Sequence, residues 1–214
     1  MTRGGSHLRP VPLELVSRDP LEAAPQLLNA LVVRGARIAR IVEVEAYRGA
    51  EDPASHAFRG PTQRNLTMFG PPGHLYVYFT YGMHWCANVV CGPEKAAGAV
   101  LLRAAAPVAG EPEMRRARPG ARTERDLLSG PAKLCQALGI TGALDGANLL
   151  SGESGIRLCI DDLEAPREAA NGPRIGISVA TDRPWRWWIP GNPHVSGPRR
   201  ATRGRPRDVE RSGS

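Results

Sequence analysis

The chain has 214 residues, 42% hydrophobic and 23% charged, which is ordinary for a soluble globular protein and enough for one large domain with tails. The formal net charge is +7 and the isoelectric point is near 9.8, nearly all of the cation being arginine, and this suits a polyanionic partner such as nucleic acid. No apolar run approaches the roughly 18 residues of a membrane span, no apolar stretch follows the charged N-terminus as in a secretory signal, and Cys86, Cys91, Cys135 and Cys159 form no CxxC pair, so reduced thiols in a cytoplasmic protein are expected.

Residues 1–12 carry Gly, Pro and charge without periodicity and read as a disordered lead. Asp19-Pro20-Leu21-Glu22 has the features of a helix start, with Asp as cap, Pro in the first position and Glu three residues after the cap. Pro25 removes an interior donor, so the helix begins either before it or near it, in the second case running through Leu27, Leu28 and Leu31 to Gly35. Residues 38–47 predict a strand with Val42, Val44 and Ala46 on one face and Ile41, Glu43, Glu45 and Tyr47 on the other. Residues 48–74 form a long loop anchored by His56, Phe58, Met68 and Phe69, a length that in a compact domain points to function.

Residues 75–80 predict a second strand, Tyr81-Gly82-Met83 a turn, and residues 84–90 the return of a β-hairpin. Its tip is bulky where Asn, Asp, Gly or Ser are usual. It either packs on its own core or enters another molecule. Residues 98–106 are a further strand that Arg103 interrupts near its end. Residues 110–125 start as a helix and become an Arg-rich loop. Ser129-Gly130-Pro131 opens a short helix ended by Gly139, with an N-terminus suited to a phosphate. Residues 156–160, 175–179 and 185–189 are short strands. From Ser196 the composition is Arg, Pro, Gly and Ser, a disordered basic tail over 197–214. Many strands with few helices between them predict an α+β fold with a largely antiparallel sheet.

All tyrosines and phenylalanines fall between residues 38 and 88, gathered around a carboxylate and two turns, which suits a planar ligand. Glu43 and Glu45 share a strand face with Cα atoms roughly 7 Å apart. That spacing fits either a solvated face or a paired-carboxylate glycosidase. Tyr47 beside them would desolvate a carboxylate and make it a better base. His84, Cys86 and Cys91 do not match zinc spacings, the deaminase pattern is absent, and no GxGxxG or P-loop occurs, so neither metal nor cofactor is expected. Lys95 and Lys133 do not suit a buried nucleophile. Arg115, Arg116, Arg118, Arg122 and Arg125 form one basic cluster, and Arg199, Arg200, Arg203, Arg205, Arg207 and Arg211 another.

VEVEAYRGAEDPASH at 42–56 and RNLTMFGPPGHLYVYFTYGMHWCAN at 64–88 are followed by VLLR at 100–103, GPAKLCQAL at 130–138, PRIGI at 173–177 and GNPHVS at 191–196. Taken together and in this order, they resemble the alkyladenine DNA glycosylases, the 3-methyladenine DNA glycosylase family of the mammalian type. The resemblance implies a single compact domain over 13–196, with a curved antiparallel sheet and a protruding hairpin that enters the DNA minor groove. It implies a monofunctional N-glycosylase that flips alkylated or deaminated purines, of the 3-methyladenine or hypoxanthine type, out of double-stranded DNA. By matched position Glu45 is the general base that activates water, and Arg103 helps to hold base and water. Tyr47, His56 and Tyr78 enclose the flipped base, Asn88 lines the pocket where the 2-amino group of guanine would collide, and Tyr81 fills the gap in the duplex. Glu43 becomes a supporting residue. The implied protein is a monomer without cofactor, cytoplasmic and on the nucleoid when bound. His84 and Trp85 depart from the family's usual aromatics near the tip, and the tail lies outside the match. The residues by themselves leave two other readings: a non-catalytic nucleic-acid-binding module, and a carbohydrate hydrolase using Glu43 with Glu45, against which the Arg-rich segments speak.

Overall fold

Alternating side chains sort the strands of this chain into two differently covered faces. The computed structural model describes residues 8–80 and 82–197. In chain order the elements are β1 (Arg9–Pro10), α1 (Leu13–Val16), α2 (Pro20–Gln26), β2 (Leu31–Arg34), β3 (Arg37–Arg48), β4 (Leu75–Thr80), β5 (His84–Cys91), β6 (Gly98–Ala109), α3 (Glu111–Ala117), α4 (Glu124–Leu128), α5 (Pro131–Leu138), β7 (Ile156–Ile160), β8 (Ala170–Gly172) and β9 (Arg186–Trp188). The fold is a single α+β domain. Seven strands run in the order β1-β7-β2-β3-β6-β5-β4, with β9 pairing both β3 and β8, and all these pairings are antiparallel. Among the described residues no helix is long and apolar enough to cross a membrane.

One face of the sheet is covered by helices. Ala23 and Ala24 of α2, Leu127 and Leu128 of α4, and Leu134 and Leu138 of α5 join Val44, Ala46, Leu75, Val89, Val100 and Leu102 in the main core. The opposite face carries the residues one position out of phase. There Tyr76, Val90 and Ala99 pack with Ala57 and Met68 from the long 48–74 loop. This second face holds the aromatic and acidic residues.

The phase on β3 is not uniform. Ile41 opposes Ala105, Glu43 opposes Ala104 and Val44 opposes Leu102, so Val42 on β3 and Arg103 on β6 are each an extra residue in the ladder. Such bulges re-aim side chains. Ile41 therefore joins Val44 and Ala46 in the helix-covered core, rather than the acidic face where strict alternation puts it.

Several other expectations are corrected. The lead is not structureless to residue 12: Arg9 and Pro10 pair with β7, and Val11 is buried. The helix does not continue to Gly35. Asp19 caps α2 by accepting from Leu21 N at 2.9 Å, and Pro25 sits in its last turn. Asn29, left-handed at φ 69, then breaks the path, and the leucine-rich stretch beyond it becomes β2. Residues 175–179 are not a strand. Ile175 N donates to Glu45 Oε1 at 2.9 Å instead of to a ladder, and Gly176 has φ 80. The expected tip residue Tyr81 and the basic tail from residue 198 lie outside the described residues.

Candidate active site

The acidic stretch of β3, the aromatic stretch of β4 and the small and polar residues of β5 and β6 wall a cavity of about 590 Å³. Tyr47, His56, Tyr78, Asn88 and Arg103 line it, together with residues 175–179 and the start of α5. Glu45 lies directly behind that lining and is fully buried. Its Oε1 accepts from Ile175 N at 2.9 Å and faces Arg103 at 3.3 Å, while its Oε2 accepts from the Tyr47 hydroxyl at 2.9 Å. Each of these three partners also lines the cavity. A carboxylate oxygen has two lone pairs, so Oε2 keeps one acceptor position.

Burial raises the Glu45 pKa above the usual carboxylate range, against the opposing effects of Arg103, Ile175 N–H and the Tyr47 hydroxyl, with Glu43 adding to the rise. The rise by desolvation is in the expected direction, while the Tyr47 hydroxyl opposes it by stabilising the ionised carboxylate. The phenol itself is pushed far up by burial and by Glu45, so it stays a donor.

Glu43 is equally buried and is held by a different set of partners. It accepts from Arg186 at 2.8 Å and from Ser196 N at 2.7 Å, and Arg103 Nε stands 3.3 Å away. Arg103 therefore bridges both carboxylates, and its Nε also donates to Ser196 Oγ at 3.1 Å.

The aromatic wall is an interlocked set. Tyr76 and Tyr78 stack with centroids 5.6 Å apart, and the His56 ring stands edge-on to Tyr78 at 4.4 Å. His56 Nδ1 shares a hydrogen bond of 3.0 Å with the Tyr76 hydroxyl, whose pKa burial pushes up to about 12. Burial, and then the nearby Arg64, lower the His56 pKa, so the ring is neutral at physiological pH. Asn88 is held by its amide on Tyr76 O at 3.2 Å.

Behind Tyr47 lies an ion pair that the sequence did not reveal. Arg174 and Asp52 are both fully buried; Arg174 Nη2 donates to Oδ1 at 2.9 Å and Nη1 to Oδ2, with a further bond from Nη1 to Ala46 O at 3.0 Å. The guanidinium stacks on Tyr47 at 4.6 Å and faces Trp185 at 5.1 Å. The residue after Arg174 is Ile175, so this pair also anchors the segment that donates to Glu45. Both residues lie within the quoted motifs at 42–56 and 173–177, but no local pattern marks them as partners.

A family model described as methylpurine-DNA glycosylase matches residues 14–193. The chain belongs to the methylpurine-DNA glycosylase family. It is accordingly a DNA glycosylase, a hydrolase acting on N-glycosyl bonds in damaged DNA. It is 55% identical over 189 residues to a protein of Burkholderia lata, covering 88% of this chain and 91% of that one. It is 48% identical over 196 residues to one of Frankia casuarinae, covering 87% and 92%, and 49% identical over 188 residues to one of Cutibacterium acnes, covering 86% and 98%. All three carry the name "Putative 3-methyladenine DNA glycosylase".

Most members of the arginine cluster at 115–125 have partners within the chain. Arg115 pairs with Glu111 at 2.7 Å, Arg116 with Glu113 at 2.9 Å, and Arg118 bonds Gln136 at 2.6 Å. Arg125 is bound to backbone carbonyls of the segment after β9. Part of the basic charge that suggested nucleic acid therefore also serves the glycosylase's own architecture. Among the described residues no group of three His, Cys, Asp or Glu converges as a metal-binding set.

Proposed function

We propose that the glycosylase excises alkylated purines of the 3-methyladenine type, and deaminated purines of the hypoxanthine type, after flipping the nucleotide out of double-stranded DNA. The observation that carries this reading is the Glu45 carboxylate behind an aromatic cavity, oriented by Tyr47, Arg103 and Ile175 N–H with one acceptor position open. A water there donates its proton to Glu45 as its oxygen bonds to C1′. The C1′–N bond breaks, and its electron pair leaves with the base. An alkylated base that is cationic departs neutral, whereas hypoxanthine departs as its anion and takes a proton from solvent. For the attacking water, in either case, one ionised carboxylate serves as general base.

Flipping costs a few kcal/mol of stacking, and stacking on aromatic rings returns part of it. Tyr47, His56 and Tyr78 supply those rings. The His56 carbonyl is tied to the Asn65 amide at 2.8 Å, while its N–H has no acceptor among the described residues and is free to read a base edge. Asn88 narrows the site against a 2-amino group. We assign Tyr81, which lies outside the described residues, to the gap left in the duplex. The same reading makes the protein a monomer working in the cytoplasm, on the nucleoid when bound to DNA.

The paired-carboxylate alternative gains no support from the geometry: of Glu43's partners Arg186, Ser196 N–H and Arg103, only Arg103 lines the cavity, whereas all three partners of Glu45 do. A binding module would gain nothing from a carboxylate buried at such cost.

The test is release of free base from a duplex carrying one hypoxanthine or one methylated purine, leaving an intact abasic strand. Incubation with borohydride should trap no covalent adduct. A trapped adduct would point to an attacking amine, Lys133 beside the cavity-lining Ala132 being the first candidate, and would refute the monofunctional reading. Tight lesion binding without release would favour the binding module.

A further inference from the structure

Residues 189–197, beyond β9, have no regular secondary structure, yet they deliver two bonds to the carboxylate pair. Ser196 N donates to Glu43 Oε2 at 2.7 Å, and Ser196 Oγ accepts from Arg103 Nε at 3.1 Å. An irregular strap needs something to fix it, and Arg125 of α4 is bonded to three of its carbonyls. Nε donates to Pro193 O at 2.7 Å, and Nη2 donates to Val195 O at 2.9 Å and to Gly197 O at 3.1 Å. The rigid guanidinium fork can hold three diverging acceptors at once, which the point charge of a lysine cannot. On the neighbouring Glu124, the carboxylate lies 3.3 Å from His194 Nε2, a second tie between α4 and the strap. α4 is itself closed at its start by a reciprocal Thr123–Asp126 capping box.

We propose that Arg125 is a positioning residue for base excision: it clasps residues 193–197, and through Ser196, Glu43 and Arg103 it sets the aim of the Glu45 carboxylate. This rests on Glu45 being the general base. Arg125 touches neither the cavity nor Glu45, and it contributes through four successive contacts of 2.7–3.3 Å. Displacing a catalytic group by about 1 Å is enough to cost up to roughly 100-fold in rate.

The signature is a shifted pH profile. The charged and titratable groups around Glu45 are Arg103 on β6, Glu43 and Tyr47 on β3, Tyr78 on β4 and Cys86 on β5, and of these Arg103 is the cation opposing the effect of burial. If the strap loosens, Arg103 follows Ser196, and Glu45 holds its proton to higher pH. The acidic limb of the rate profile then moves upward.

The experiment compares the full-length parent with Arg125→Ala, Arg125→Lys, Ser196→Ala and Glu45→Gln. It measures single-turnover excision of hypoxanthine from a duplex at saturating enzyme between pH 5 and 9, together with duplex binding across a salt series. Arg125→Ala is expected to be about 10–100-fold slower, with its acidic limb moved up and its duplex affinity and salt slope unchanged. Arg125→Lys restores the charge but not the rate. Ser196→Ala, which removes only the Oγ contact, moves the limb the same way by less. The inference is overturned if Arg125→Ala keeps rate and limb, or if it loses affinity and about 0.9 of the salt slope at unchanged saturating rate, which is the behaviour of a phosphate contact. If Arg125→Ala does not fold, the lysine and Ser196 variants decide alone, and unshifted limbs in both overturn it. Should Glu45→Gln stay active, the general-base reading fails as well; a dead Glu45→Gln beside Arg125 variants that match the parent rejects this inference only.

Discussion

Glu45→Gln leaves lesion-duplex binding intact and lowers the single-turnover excision rate by at least the roughly 10²–10⁴-fold typical of losing a general base. The substitution keeps the shape of the site. A glutamine oxygen can still accept from Ile175 N and Arg103, and its amide can donate to the Tyr47 hydroxyl, so only the proton acceptor is removed. In the parent, the rate should rise with pH through the raised Glu45 pKa, since the ionised form is the active one. Stability should follow the opposite trend. A carboxyl whose pKa is raised by folding binds its proton more tightly in the folded state, so that stabilisation is present below the unfolded value and lost as pH rises through the folded one. Glu45→Gln carries no such penalty and should melt no lower than the parent near neutral pH. Glu43→Gln should differ in kind. It leaves Arg103 and Arg186 short of their buried counter-charge, so it should lower the melting temperature while retaining more activity than Glu45→Gln. Equal loss of rate from both, without loss of stability, would restore the paired-carboxylate mechanism.

Asp52→Ala carries the largest expected effect on stability. It strips the bidentate partner from Arg174, which is fully buried and cannot rehydrate. Removing one member of such a pair costs about 3–5 kcal/mol. At roughly 2–4 °C per kcal/mol for a chain of this size, the melting temperature should fall by about 10 °C. By comparison, breaking the exposed pair between Arg116 and Glu113 should move stability by less than about 1 kcal/mol. Arg174 also supports the back of Tyr47 and precedes Ile175, so excision should weaken even at temperatures where Asp52→Ala remains folded. A melting curve within two or three degrees of the parent would show that the pair does not hold this corner of the site.

The expected strands over residues 75–80, 84–90 and 156–160 correspond to β4, β5 and β7, because a strand's own alternation reports its type without reference to its partner. The same rule placed Glu43, Glu45 and Tyr47 on one face. It failed at Ile41, since a bulge is a relation between two strands and β6 is about sixty residues downstream. Residues 175–179 have strand-like composition, but a buried carboxylate claims the backbone donor of Ile175 across 130 positions of sequence. The arginines of 115–125 read as a field for a polyanion because net charge counts cations without their partners, and most of those partners are carbonyls or acids of the same protein.

By itself, the sequence determined the residue types available for the chemistry: one aromatic-rich stretch, two carboxylates in phase with a tyrosine, and motifs specific enough to name a family. Those are local properties, set by side-chain identity and by the period of the backbone. Only the tertiary structure decided which carboxylate is held by the residues that line the cavity. Glu43 and Glu45 are alike in sequence and equally buried. What separates them is that one is held chiefly by Arg186 and Ser196, more than 140 residues away and not part of the cavity lining, while all three partners of the other, Tyr47, Arg103 and Ile175, line the cavity. Burial and hydrogen-bond occupancy are sums over everything that surrounds a group, and most of what surrounds Glu45 and Glu43 comes from parts of the chain that only folding brings near.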